Sequence, residues 1–221
     1  MKKIARKGIV AVLALCLSLT LLVGCGSSYT ARELVEDTLN LYYLDQPSEA
    51  YMMMLGLTED EAHQRFEDWL NMEIPFFCGL YEVELDSCEP QIEPQIAELY
   101  HKIYAHSKFE VGETTKTGDD YSVSVTIWPI DILQKVYDNE MEGFAADLSE
   151  KIASGNYDAL TDEEFETLWA QGVIDLVNAH LDELDYLEAQ TMEIRVEKDS
   201  DNVYSVNVTD FQNADELILA Y

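Results

Sequence analysis

Apolar positions Leu34, Val35, Leu41 and Tyr42 recur at the helical period, and Thr30-Ala31-Arg32-Glu33 ahead of them has the form of a capping box. Gln46-Pro47-Ser48 breaks that helix, and a short apolar segment over residues 51–55 follows. Thr58-Glu59-Asp60-Glu61 forms a second capping box, opening a helix whose inner face is Ala62, Phe66, Trp69 and Leu70. Beyond a loop that contains Cys78 and Cys88, the positions Ile96, Leu99, Tyr100 and Ile103 mark another helix. The period then changes from 3.6 to 2. Tyr121, Val123, Val125 and Ile127 alternate with Ser122, Ser124 and Thr126, so one face of this strand is buried. Phe109 and Val111 supply its partner across a hairpin at Gly118-Asp119.

Pro129 ends the strand, and one helical stripe runs through Leu133, Val136, Tyr137, Phe144, Leu148 and Ile152 to a stop at Ser154-Gly155-Asn156. A third capping box, Thr161-Asp162-Glu163-Glu164, starts a long helix on Phe165, Leu168, Trp169, Leu176, Val177 and Leu181. A second hairpin pairs Met192, Ile194 and Val196 with Tyr204, Val206 and Val208, and a short helix from Asp210 on, carrying Leu217 and Ile218, finishes the chain. Helices, hairpin, helices, hairpin, helix is an α+β order. The two hairpins are expected to join in one four-stranded antiparallel sheet with helices packed on it, because an isolated hairpin is marginal in water.

The order also reads as one unit written twice. Tyr121-Ser122-Val123-Ser124-Val125-Thr126 returns as Tyr204-Ser205-Val206-Asn207-Val208-Thr209, and Leu57-Thr58-Glu59-Asp60-Glu61 is echoed by Leu160-Thr161-Asp162-Glu163-Glu164. The expectation is a single α+β domain over residues 30–221, built from related units of about 30–128 and 129–221.

The 221 residues carry 44 acidic and 13 basic side chains. That excess argues against nucleic-acid binding, which needs clustered Lys and Arg against phosphate, and against binding an anionic bilayer through charge. Four of the basic residues, Lys2, Lys3, Arg6 and Lys7, open the chain and lead into a largely apolar run from Ile9 to Val23. The run is too short and too interrupted by Ser18 and Thr20 for a membrane span of about 20 apolar residues. It ends in Leu22-Val23-Gly24-Cys25, followed by Gly26-Ser27-Ser28.

This resembles the lipobox of bacterial prolipoproteins. The resemblance implies a signal peptide over residues 1–24, cleavage between Gly24 and Cys25, and diacylglycerol on the Cys25 thiol, with palmitate-type chains. Residues 25–29 would form the lipidated tether, and the membrane would be a partner through the acyl anchor. The implied location is the cell membrane, with the body facing outside the cytoplasm. The mature chain would keep 197 residues and a side-chain charge of −35. Two acyl chains anchor stably without a basic patch, which suits so acidic a body.

Cys78 and Cys88 remain after processing. They admit two readings, a short-loop disulfide favoured by an oxidising compartment and a pair of buried thiols. No phosphate-cradling loop, GxSxG elbow, HExxH or EF-hand signature is present, so no catalytic residue, metal or cofactor is assigned. His63, His101, His106 and His180 read as surface or helix-flank residues. Asp199-Ser200-Asp201-Asn202 is read as a turn, with a cation site as the alternative. Trp69 and Trp169 read as core. Trp128 shares the parity of Ser122, Ser124 and Thr126, and is either exposed or covered by a helix; exposed, it would be a binding anchor.

Beyond the lipobox, Thr30-Ala31-Arg32-Glu33-Leu34-Val35, Leu57-Thr58-Glu59-Asp60-Glu61-Ala62, Val208-Thr209-Asp210-Phe211 and Asp215-Glu216-Leu217-Ile218 are similar to segments of small α+β lipoproteins of Gram-positive bacteria. That family brings no established activity. Two functions therefore stand: a non-catalytic module that binds a peptide or another envelope protein, and a carboxylate-based envelope hydrolase. Buried acids clustered around one pocket would favour the enzyme.

Overall fold

The computed structural model describes residues 29–155, 157 and 159–221. The expected signal peptide, the expected lipobox with Cys25 and residues 26–28 lie outside the described residues.

In chain order the elements are α1 (Ala31–Leu44), α2 (Glu49–Leu55), α3 (Glu59–Asn71), α4 (Ile74–Tyr81), α5 (Ile92–Tyr104), β1 (Lys108–Thr117), β2 (Asp120–Trp128), α6 (Ile132–Asn139), α7 (Met141–Ala153), α8 (Asp162–Ala179), β3 (Gln190–Lys198), β4 (Tyr204–Val206) and α9 (Val208–Ile218). All three capping boxes form. Thr30, Thr58 and Thr161 each accept the backbone N–H three residues on, from Glu33, Glu61 and Glu164, whose carboxylates reach back to the threonine N–H at 2.7–2.8 Å. The strands form one antiparallel sheet in the order β1-β2-β3-β4. The fold is α+β, with both hairpins in a single four-stranded sheet.

The chain divides into two compact units, each drawing on both halves of the sequence. The first contains the sheet, α1, α2, most of α3 and α9. Val123, Val125, Ile127, Ile194 and Val196 line the buried face of the sheet, under α1 and α9. There Phe211 lies edge-on to Tyr42 and Trp69 and stacked on Tyr43, with ring centres 5.2–5.8 Å apart. Such aromatic pairs add about 0.5–1.5 kcal/mol each beyond their buried area.

The second unit is helical, built from α4 to α8. Trp169 of α8 donates its indole N–H to the carbonyl of Tyr81 at 3.0 Å, and Tyr81 donates its hydroxyl to the carbonyl of Leu133 at 2.8 Å. Phe144 packs on α8 at Gly172, where a Cβ would lie 2.4 Å from the Phe144 ring. Only a glycine admits the ring so close.

Four expectations need correction. Residues 74–81, read as the start of a loop, form α4. Its sequence is apolar on all sides and so carries no period to read. The single helix expected after Pro129 is two, α6 and α7, broken at Glu140, where Asn139 turns its side-chain amide onto the carbonyl of Lys135. The last strand stops at Val206, and Val208 opens α9 instead of extending the hairpin. Asn207 ends the strand by accepting the Asp210 backbone N–H on its side-chain oxygen, in the manner of a helix cap. The buried stripe of α8 is Ala170, Val173, Ile174 and Val177, leaving Trp169 half-buried rather than fully in the core.

Candidate binding face of the sheet

Strict alternation on β2 sends Val123, Val125 and Ile127 inward and Ser122, Ser124, Thr126 and Trp128 outward. The outward side chains are half-buried. Register sets their neighbours. Lys108 of β1 lies opposite Trp128, with its ammonium 4.6 Å from the centre of the indole. Thr126 lies opposite Thr191 of β3, hydroxyl to hydroxyl at 2.9 Å. Ser122 donates to the Glu193 carboxylate at 2.6 Å. Arg195 completes the row, donating through Nε and Nη2 to both oxygens of Asp210 at 2.7 and 3.1 Å. The Asp210 hydrogen bond holds the guanidinium pKa above its ordinary value.

The outward parity of the strands carries Lys108 and Arg195 against Glu110, Asp120, Glu193 and Glu197, while Lys116 and Lys198 share the parity of Tyr121 and Val196 on the other face. Trp128 is half-buried, with the Lys108 ammonium over its indole.

The other residues singled out from sequence are scattered. Cys78, on α4, and Cys88, after the Leu85–Ser87 turn, are half-buried free thiols. Burial raises the Cys78 thiol to about 11 and also raises Cys88. His63 is exposed and bonded to Asp45 through Nδ1 at 2.6 Å, an interaction that raises its pKa. Asp199 spends one carboxylate oxygen on the backbone N–H groups of Asp201 and Val203, at 2.8 and 2.9 Å, as its turn demands. Among the described residues, no three His, Cys, Asp or Glu side chains converge to hold a metal ion.

Among the described residues two carboxylates are buried, and sequence reasoning singled out neither. Asp37 is 8% exposed and Glu73 is 6% exposed. Asp37, in the first unit, accepts from Tyr29 and twice from Ser48. Glu73, in the second, accepts the Tyr221 hydroxyl on its carboxylate and the Tyr100 hydroxyl on its backbone carbonyl. Both phenols are held well above their ordinary pKa by burial. Neither acid stands in a register or period that would have marked it. The second unit also carries an open cleft of about 250 Å³ beside Phe144, Leu168 and Gly172, whose acids, Asp147 and Asp175, are solvent-exposed.

No protein-family model matches the chain, and comparison with curated proteins gives no match. Among solved structures, the crystal structure of a candidate lipoprotein, YcdA, from Bacillus subtilis is similar, with a TM-score of 0.55 and 12% sequence identity. The similarity covers 97% of this chain and 60% of that one. At that identity the likeness is one of fold. Among the described residues, no helix is long and apolar enough to cross a membrane.

Proposed function

We propose that this chain is a lipid-anchored extracytoplasmic protein, held to the membrane by acyl chains on Cys25, whose exposed sheet face binds a peptide or another envelope protein without catalysis. The lipobox sequence Leu22-Val23-Gly24-Cys25 supports the anchor, and the fold shared with a candidate lipoprotein is in keeping with it. One observation carries the binding role: Trp128 sits half-buried at the end of a polar strand row, with the Lys108 ammonium 4.6 Å from the centre of its indole. An aromatic of that kind anchors protein interfaces, and its truncation typically costs about 2 kcal/mol or more of binding. The hydrolase reading lacks comparable support, because the two buried carboxylates belong to different units and each is engaged in structural hydrogen bonds.

A photo-crosslinking residue at exposed Thr191, on the same face, tests the proposal in cells. It should yield a discrete adduct that Trp128→Ala weakens and that the same probe at Glu150, on α7, does not give. Equal adducts from both positions, or none from Thr191, would remove the sheet face as the binding surface.

A further inference from the structure

The chain re-enters the described structure at Tyr29, four residues after Cys25. Four residues span at most about 14 Å, however extended. Tyr29 is fastened where it emerges. Its hydroxyl donates to Asp37, the carboxylate that also receives the backbone N–H and hydroxyl of Ser48, both at 2.9 Å. Ser48 is the N-cap of α2, accepting the Tyr51 N–H at 3.1 Å, and the Tyr29 ring stacks against Tyr51. The start of the body and the first turn of α2 are therefore one place.

That helix is Glu-Ala-Tyr-Met-Met-Met-Leu, and only Tyr51 of it is buried. Met53 is 75% exposed, the most exposed large apolar side chain among the described residues, and Met52, Met54, Leu55 and Leu57 around it are half-buried. A surface helix this apolar needs a cover, and unbranched methionines suit an irregular one.

We infer that α2 faces the bilayer, with Met53 and its neighbours seated among the lipids beside the anchor. The inference rests on the acylation of Cys25, since the tether length is what brings α2 to the membrane. It commits to lipid and not to a second copy of the chain. The mature body, at −35, repels its own copies, while a zwitterionic surface opposes it far less. The exposed apolar side chains add a second attachment to the acyl chains and fix which side of the body faces outward.

The test uses the processed, acylated full chain on phosphatidylcholine vesicles, with the mass of the N-terminal peptide read first to establish the acyl group. Chloramine-T, an anionic oxidant excluded from lipid, then reports methionine access by mass spectrometry. Met53 should oxidise at least about fivefold more slowly on vesicles than in soluble Cys25→Ala protein, with Met141 as the unchanged internal reference. Met53→Asp should leave the protein vesicle-bound and return Met52 and Met54 to the soluble rate. Acylated, vesicle-bound protein whose Met53 oxidises at the soluble rate would overturn the inference and leave the anchor standing. Concentration-dependent protection of Met53 in the soluble variant would overturn it in favour of self-association. An unmodified Cys25 peptide would overturn the anchor itself, and the inference with it.

Discussion

Asp37 and Ser48, eleven residues apart, are joined twice. The Ser48 backbone N–H donates to Oδ1 and its hydroxyl to Oδ2, each at 2.9 Å, and Tyr29 adds a third donor to the same carboxylate. The buried charge is tolerated because its lone pairs are filled, and it is what positions α2 and the point where the chain emerges.

Removing that carboxylate should be costly. Asp37→Ala leaves the Ser48 N–H and the Tyr29 hydroxyl without their acceptor, and about 2–4 kcal/mol of stability should be lost in urea denaturation. Tyr29→Phe should cost about 1 kcal/mol, since it deletes one bond and retains the ring. A loss below 0.5 kcal/mol for Asp37→Ala, on the same ~25 °C scale, would show that the cluster does not hold the segment.

The aromatic core and half-buried Trp128 should separate in mutational effect. Phe211 is fully buried among Tyr42, Tyr43 and Trp69, and Phe211→Ala should destabilise by about 3–5 kcal/mol through a cavity. Trp128→Ala should cost clearly less, because its indole is half-buried while Phe211 is fully enclosed. A Trp128→Ala penalty as large as that of Phe211→Ala in chemical denaturation would place Trp128 in the core and remove its role as an anchor.

These residues also show what the pattern of the chain can reveal. Period-2 alternation over residues 121–128 placed every side chain of β2 on its correct face, and Thr-x-x-Glu spacing located three helix starts, because both signals are local. The helix at Ile74–Tyr81 carries no such signal because it is apolar on every side, and the final strand is shorter than its alternation suggests because Asn207 redirects the chain after Val206. The repeated hexamer Tyr204–Thr209 matches β2 in letters, yet its residues split between an edge strand and the first turn of α9. Asp37 and Glu73 were invisible for a different reason. Their partners are Ser48, Tyr29 and Tyr221, and only tertiary structure brings these together.

Stability should fall on both sides of a window at mildly acidic pH. The backbone N–H groups of Thr30, Thr58 and Thr161 hold Glu33, Glu61 and Glu164 below the ordinary carboxylate value of 4.5. Their contribution is complete above that value and is lost as pH falls through the lowered folded values. His63 is shifted the other way by Asp45, above its ordinary 6.5, so its contribution is complete below that value and is lost as pH rises through the raised folded one. His63→Gln should flatten the neutral-side decline in Tm and Glu164→Gln the acid-side one. Unchanged slopes in both variants would assign the pH dependence elsewhere.

The two thiols should be slow nucleophiles. With Cys78 at about 11 against an ordinary 9, its thiolate fraction at neutral pH is lower by about 100-fold. Iodoacetamide at pH 7.5, followed by peptide mass spectrometry, should modify Cys78 in the folded, reduced protein far more slowly than in the urea-unfolded chain. Recovery of Cys78 linked to Cys88 from natively exported, non-reduced protein would instead establish the short-loop disulfide that an oxidising compartment favours.

The proposed anchor suspends the body from lipid on Cys25. The most direct measurement is the intact mass of the membrane-extracted protein, with fragmentation of its N-terminal peptide. The expected result is a chain that begins at Cys25, lacks residues 1–24 and carries a diacylglycerol mass on that cysteine, whereas Cys25→Ala carries none. A chain that keeps residues 1–24, or that begins at or near Cys25 with an unmodified thiol, would contradict it.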